Sequence, residues 1–504
     1  MIIAIKKYTH DLRGLSVVLL AATVFSLVSI LPARAQEIDS VIVELAARTT
    51  NPVGSVSARH VVVDDAGNRY AFGSFSGQVE FGQGKDGQRL EGTFGDMFVA
   101  KYDTEGTLQW IQEFESRIVS GGGGLPSAQA VGIELDQEDL YVTGTFVNTL
   151  DVGPETLVTN DNSADGFITQ LDPATGQVRW VNQIKSQGSR PVIVRDISAA
   201  RGNVYLTGRF SGVSEFLGQF QSEETLLSLT PGGDDMFVAR YSFGGILAFA
   251  IQAGGDGAEG LSIDTTFGQS FTIVGSFFGT IRFPGTSSNP TVTLTSVGGK
   301  DGFVAKYNGS QLRRDMLVQI GGTDSDSALR VVEANRGSDT YVAGSFSKTL
   351  TIGGKSLTNR GENDNYLIKI NILGKVVRVV QIGSDNVDFL SDLDADTAGN
   401  AYITGRFFGQ ELTIDDGASV VRLPKNQSRT PYIASLSREM VPLFGQTIQG
   451  DVNPNSIAVN GNTNIYLATE YRGAAVFGEG DGAIELPAPG SFSARGMAVA
   501  RYTQ

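Results

Sequence analysis

The stretch Gly67–Phe114 opens with GNRYAFGSFSGQVEFG and, after a connection, continues as DMFVAKYDTEGTLQWIQEF. Tyr70, Phe72, Phe75, Val79 and Phe81 are strand formers interrupted by Gly73 and Gly77, the pattern of a strand with a bend. Met97 to Tyr102 is a second β-rich run. Asp103-Thr-Glu-Gly106 follows as a hairpin turn, with glycine where a positive φ is needed, and Leu108 to Phe114 returns as a further strand. An antiparallel sheet of three or four such strands cannot bury its faces alone, so it requires neighbours of its own kind.

Those neighbours are present. An aromatic residue, two residues, Gly, one residue, then Phe or Tyr recurs at Tyr70, Tyr141, Tyr205, Tyr341 and Tyr402, with degenerate copies at Thr272 and Tyr466. The spacings are 71, 64, 67, 69, 61 and 64 residues. The DMFVAKY run at Asp96 returns at Asp165, Asp235, Asp301 and Asp364, and in weaker form at Thr430 and Gly496, interleaved with the first set. Periods of this size built from short strands predict a propeller or solenoid rather than separate domains.

Each unit reads as four strands, A to D. Strand A precedes the aromatic anchor, as in His60–Val63 and Asp392–Ala395; B carries that anchor and C the DMFVAKY run. Strand D follows a loose pattern seen at Trp110-Glu113-Phe114 and Trp180-Gln183-Ile184. The chain ends directly after the seventh strand C, one D strand short. Val41–Leu45, ahead of the first strand A, fits the D pattern and is expected to pair with Ala498–Tyr502. The predicted fold is therefore all-β: a seven-bladed β-propeller of four-stranded antiparallel blades, closed by an N-terminal strand that completes the last blade.

These residues also carry a family resemblance. The string Y-x-x-G-S-F-S-G…V-x-F-G…G-x-D-x-F-V-A-K-Y-D-x-x-G-x-L-x-W resembles the bacterial seven-bladed β-propeller repeat of SBBP type. Gly67–Phe114 matches it almost throughout, and the likeness extends over residues 40–504, with the sixth and seventh copies departing most. The resemblance implies an exported, surface-associated propeller. It brings no shared catalytic motif.

Residues 1–35 read as a signal peptide: Lys6, Lys7 and Arg13 precede an apolar core from Leu15 to Leu31, and Pro32-Ala-Arg-Ala35 supplies the small residues of a cleavage site. Cleavage after Ala35 leaves residues 36–504 as a single propeller domain. An uncleaved anchor is the competing reading, because the apolar run approaches spanning length. Cleavage removes four cations and one anion from a formal net charge of −15, leaving −18. An acidic chain without a concentrated basic patch argues against nucleic acid and anionic membrane surfaces as partners. There are no cysteines, and His60 is the one histidine of the mature chain, so disulfides, thiolate catalysis and His-rich metal centres are excluded. His60 itself lies in a predicted strand and reads as a satisfied structural residue.

In a propeller the A–B and C–D turns share one face and the B–C and D–A connections the other. The first face has tight turns such as Asp64–Asn68 and Asp103–Gly106, whose Asp and Asn residues serve turn hydrogen bonding. The second has long, unequal connections (Gly82 to Gly95, Gly218 to Gly233, Asp415 to Thr430), where binding residues usually reside. Its D–A loops repeat glycine-then-acid patterns that bring Asp256, Glu259, Asp324, Asp326, Asp385, Asp388 and Asp451 toward the channel mouth. Such an oxygen-rich cluster would suit calcium or a polyhydroxylated ligand, although no D-x-D-x-D-G loop is intact. On the A strands, His60, Gly132, Asp196, Ser262, Arg330, Asp392 and Ser456 align in one layer. Val62, Glu134, Ser198, Asp264, Val332, Asp394 and Ala458 form another, and Asp392 and Asp394 are the candidates for acid–base chemistry.

The expected role is an exported protein, periplasmic, cell-surface or extracellular, that binds a protein or glycan partner through its long-loop face as a monomer and without catalysis. No cofactor is implied, with calcium as the one alternative. The rival readings are a carboxylate-dependent glycan hydrolase or lyase at the channel mouth, and a calcium-stabilised structural module.

Overall fold

A computed structural model of the chain describes residues 40–49 (backbone only), 54–82, 87–118, 127–159, 162–219, 224–228, 233–266, 269–285, 289–461, 464–489 and 494–503. The chain divides into two units, Met1–Ala35 and Gln36–Gln504; the first, with the expected signal peptide, lies outside the described residues. No helix among the described residues is long and apolar enough to cross a membrane. The fold is all-β, made of antiparallel sheets.

One sheet shows the arrangement of a whole repeat. From edge to edge its strands are Glu224–Leu227, Ser214–Leu217, Val178–Ser186, Asp165–Leu171, Asp139–Val147 and Ser127–Asp136. The last four are strands D, C, B and A of the second repeat, in the expected order. The first two are new. They are a hairpin from the B–C connection of the third repeat, laid along the outer edge of the preceding strand D, with Ile184 opposite Phe216.

The same exchange occurs at every junction. Phe114 pairs with Val152, Gly254 with Arg282, Gly321 with Thr351, Ile382 with Ile414, Gln449 with Val476 and Ala47 with Phe81. The connections expected to be variable loops thus each contain a strand. Gly82 to Gly95 contains part of the strand Gln88–Tyr102, Gly218 to Gly233 contains Glu224–Leu227, and Asp415 to Thr430 contains Val420–Pro424. The reason is visible in the sequence once the pairing is known. Val79 and Phe81, Leu150 and Val152, Leu350 and Ile352, and Leu412 and Ile414 alternate with polar residues, and all of them are buried. Two such side chains per hairpin, each worth roughly 1.5–3 kcal/mol on burial, outweigh the freedom of a loop. The hairpin also covers an edge that strand D would otherwise expose.

The anchor glycine of strand B has a steric cause. Every strand A carries a β-bulge at the same place, opposite this position. A Cβ at Gly73 would lie 1.9 Å from the Ser57 carbonyl oxygen, and one at Gly208 would lie 2.0 Å from that of Ile193. The strand C ring Phe98, Phe167, Phe237, Phe303, Tyr366 or Tyr432 lies against the glycine in each case. The seventh repeat changes both members together. Thr469 replaces glycine and Ala498 the ring, and the Thr469 hydroxyl donates to the Ala498 carbonyl.

The buried Asp that opens strand C also recurs with a partner. Gln183, Gln252, Gln319 and Gln381 on strand D donate to Asp165, Asp235, Asp301 and Asp364 at 2.7–2.9 Å. The same amides donate to carbonyls at the hairpin's return, those of Val158, Ser228, Thr295 and Thr358. In the first repeat the strand D residue in that register is Glu113, opposite Phe98. Trp110 and Trp180 are buried and donate to the carbonyls of Pro173 and Phe243 in the next repeat's C–D turn. Core clusters draw on adjacent repeats, so apolar contact between neighbouring sheets holds the array together.

Residues 41–45 pair with Ala498–Tyr502 as expected, Val41 opposite Tyr502 and Leu45 opposite Ala498, although the segment sits one residue out of step with the strand D pattern that singled it out. Ile42, rather than Val41, stands opposite Arg501, the place Trp110 takes opposite Lys101. Leu45, rather than Glu44, occupies the register of Glu113.

Candidate functional site

A cavity of about 360 Å³ is lined by the strand A of every repeat, from His60–Val63 to Ser456–Val459. The two predicted polar layers and the apolar layer between them meet here; Val61, Ile133, Ile197, Ile263, Val331, Leu393 and Ile457 are buried. Among the described residues no strand pairs with the inner edge of strand A where it lines the cavity, so its amides there need other acceptors. Acidic side chains supply them across the junctions. Asp196 accepts from the Ile263 amide at 2.9 Å, Asp264 from Glu333 at 2.6 Å, Asp392 from Ile457 at 3.0 Å and Asp394 from Val459 at 2.7 Å. Ser198 and Ser262 do the same for Thr265 and Val331. Asn455 and Asn460 reach carbonyls of Ala58 and Asp64, joining the seventh repeat to the first.

Asp392 and Asp394 are therefore strand-to-strand ties, each engaged by a backbone amide. Asp392 also lies 3.2 Å from the Arg330 guanidinium. Burial lifts Asp196 to about 6 and both Asp264 and Asp394 to about 7. Glu134 is raised well above the usual carboxylate range by burial and by the negative charges of Asp264, Asp196, Asp394 and Asp392. His60 is held down at about 3 by burial, Arg330 and Arg59 and is a neutral imidazole. Its ring makes no hydrogen bond among the described residues, unlike the satisfied histidine the sequence suggested.

The loop acids do not converge on a channel mouth. Asp256 accepts from the amide and hydroxyl of Thr280 on its own repeat's hairpin. Asp324 pairs with Lys348 at 2.8 Å, Asp451 with Arg429 at 2.9 Å, and Asp385 accepts from the Gln410 amide at 2.7 Å. Glu259 alone reaches the cavity wall, bridging Arg195 at 2.6 Å and Arg209 at 3.3 Å. Asp326 and Asp388 are fully buried where other repeats place Val56, Val192 or Val452. They fall in the two repeats whose strand C ring is Tyr366 or Tyr432 rather than Phe. Asp388 accepts from the Ser384 amide and hydroxyl, both at 2.6 Å, and both acids rise to about 7 through burial. Alternation along strand A turns these side chains inward, away from any ligand. Among the described residues no group of three or more His, Asp and Glu side chains is placed to hold a metal ion.

A second pocket, of about 550 Å³, lies on the side of the D–A and B–C connections. Ser55, Ser57 and Arg59 of the first strand A line it with Ser74, Ser76 and Thr93, Ser127 of the second repeat, and Glu470 and Arg495 of the seventh. Ser55 and Ser76 share a hydrogen bond of 3.0 Å, and Arg495 pairs with Glu470 at 2.5 Å. Arg59 is exposed and makes no ion pair or hydrogen bond among the described residues. Arg59, Glu470 and Arg495 belong to none of the patterns that repeat along the sequence. Arg59 directly precedes His60 and stands at the shared bulge, which leaves no mark in the composition.

No family model matches the sequence, and no curated protein does. Among solved structures the chain is similar to Raptor of Chaetomium thermophilum, with TM-score 0.41 and 7% identity over 92% of this chain and 29% of that one. It is also similar to an endosialidase of phage phi92, with TM-score 0.40 and 9% identity over 92% and 69% of the two chains. Drosophila Plexin A, in complex with Semaphorin 1b, gives TM-score 0.36 and 8% identity over 93% and 88%. The chain spans under a third of Raptor's length. At these scores none of the three carries an argument about this protein's activity or partners.

Proposed function

We propose that the chain is an exported seven-bladed β-propeller of the SBBP-type repeat, closed by the strand around Val41–Leu45, that binds a glycan or protein partner without catalysis. The blade count and closure draw support from the strand A of seven repeats lining one cavity and from the pairing of residues 41–45 with Ala498–Tyr502. Export rests on the leader-like residues 1–35, places the protein in the periplasm, at the cell surface or outside the cell, and is tested by sequencing the N-terminus of the secreted protein. Gln36 is the expected first residue, and an intact Met1 would refute cleavage.

The observation that carries the binding role is the hydroxyl-rich pocket around Arg59 on the long-connection side, in contrast to cavity carboxylates already engaged by backbone amides. Hydroxyls flanked by a guanidinium match the hydrogen-bonding inventory of a sugar. A screen of the purified protein against glycan and surface-protein panels tests this, and silence on both refutes it. A carboxylate-dependent hydrolase or lyase is the second reading, favoured by Glu134, a raised carboxyl in the cavity with no hydrogen bond among the described residues. Hydrolysis of a glycan by the wild type and not by Glu134→Gln would establish it instead.

A further inference from the structure

We infer that Arg59 forms an anionic subsite, so that the ligand of the hydroxyl-rich pocket is an acidic glycan bearing isolated carboxylates among its hydroxyls. This rests on the proposed binding role and narrows it to a substrate class.

The repeats supply an internal comparison. Arg59 is the bulged residue of the first strand A, between Ala58 and His60, and Arg195 is the bulged residue of the third, between Val194 and Asp196. The two arginines therefore occupy one structural position in two copies of the same unit. Arg195 is neutralised from the next repeat by Glu259, which stands opposite Ser276 on strand B. The residue in that register beside Arg59 is Gln129, opposite Thr145, which has no charge to offer. The pocket's other cation, Arg495, is taken by Glu470. Among the described residues Arg59 is thus an unpaired guanidinium, and it lines the pocket together with Ser55, Ser57, Ser74, Ser76 and Ser127.

A guanidinium with two parallel N–H donors matches a carboxylate bidentately, and the surrounding hydroxyls match a sugar's own. The net charge of −15 opposes a densely charged polymer, so the fit is to sparse carboxylates rather than to a heavily sulfated chain.

The test uses the purified protein and three probes in calorimetry: a uronic acid oligosaccharide, the same oligosaccharide with its carboxyls reduced to alcohols, and a heavily sulfated glycan. The uronate is expected to bind at least tenfold more tightly than the reduced form. Arg59→Gln should lower uronate affinity about tenfold, the size expected for one charge-assisted pair, and lower the affinity for the reduced form much less. Arg59→Lys should recover part of the loss, and matching melting curves will show that the exposed substitution leaves the fold intact. Equal binding of the uronate and its reduced form, or Arg59→Gln without effect, overturns the subsite while leaving the glycan-binding role standing. Preference for the sulfated chain also overturns it. If no glycan binds and a surface protein does, the acidic-glycan inference is refuted and the broader role survives; failure of both panels refutes the two together.

Discussion

Glu113→Gln should stabilise this protein, and more at high pH than at low. Four repeats place Gln where the first places Glu113, and there the amide donates to the buried Asp at the start of strand C. Glu113 instead sets a carboxyl near Asp96, and burial, Asp96 and Glu115 lift it from 4.5 to about 7. An acid whose folded value lies above its unfolded one opposes folding once both states are ionised. The penalty is absent below 4.5, grows as pH rises, and is complete above about 7. The full shift corresponds to about 3 kcal/mol, which solvent around this half-buried side chain reduces to about 1–2 kcal/mol. Gln removes that penalty and adds one hydrogen bond to Asp96, worth about 1 kcal/mol. Urea unfolding of both proteins at pH 5.5 and 8.5 measures it. The advantage of Gln should be about 1 kcal/mol larger at pH 8.5. A variant no more stable at pH 8.5, or an advantage equal at both pH values, would refute the repeat-to-repeat reasoning.

Gly208→Ala should destabilise by about 3 kcal/mol or more, because the new methyl meets the Ile193 carbonyl oxygen and neither strand can retreat; a loss below about 1 kcal/mol in urea unfolding would contradict the bulge account. Asp196, Asp264, Asp326, Asp388 and Asp394, raised to about 6 or 7, predict a higher melting temperature at pH 5.5 than at pH 8. His60, held down at about 3, works in the opposite direction below pH 6.5, but it is one group against five. A melting temperature that climbs toward pH 8 would oppose this assignment. Removing residues 36–49 strips Gly496–Thr503 of its edge partner and should lower the melting temperature while promoting self-association. Adding that peptide back should reverse both effects, and a truncated chain that melts like the parent would count against closure.

Much of the architecture was legible in the residue order because the relevant forces are local. Alternating apolar residues, turn glycines and the aromatic anchors record the pleat and its breaks, so the strands of each repeat and their order could be read from Gly67–Phe114 and its copies. The pairing of the opening strand with Ala498–Tyr502 could be read as well, since a missing D strand shows up as an arithmetic gap. Which of its residues takes the place of Trp110 could not. One residue's slip keeps a plausible pattern, and backbone pairing selected Ile42 opposite Arg501. The hairpins were hidden for a similar reason: Val79-Glu-Phe81 and Leu412-Thr-Ile414 are too short to announce a strand until a neighbouring repeat's edge is there to receive them.

The candidate site lay further still from what the order of residues contains. Asp392 and Asp394 read as a possible acid–base pair, yet the amides of Ile457 and Val459, some sixty-five positions away, claim them. Asp326 and Asp388 read as loop ligands, yet strand alternation turns them into the core. A carboxylate's role depends on which unpaired backbone group it faces, and that is set by how sheets meet across a junction. Composition and spacing describe each repeat from within; only the packing of one repeat against the next determines which of its charges are paired and which, like Arg59 among the described residues, are not.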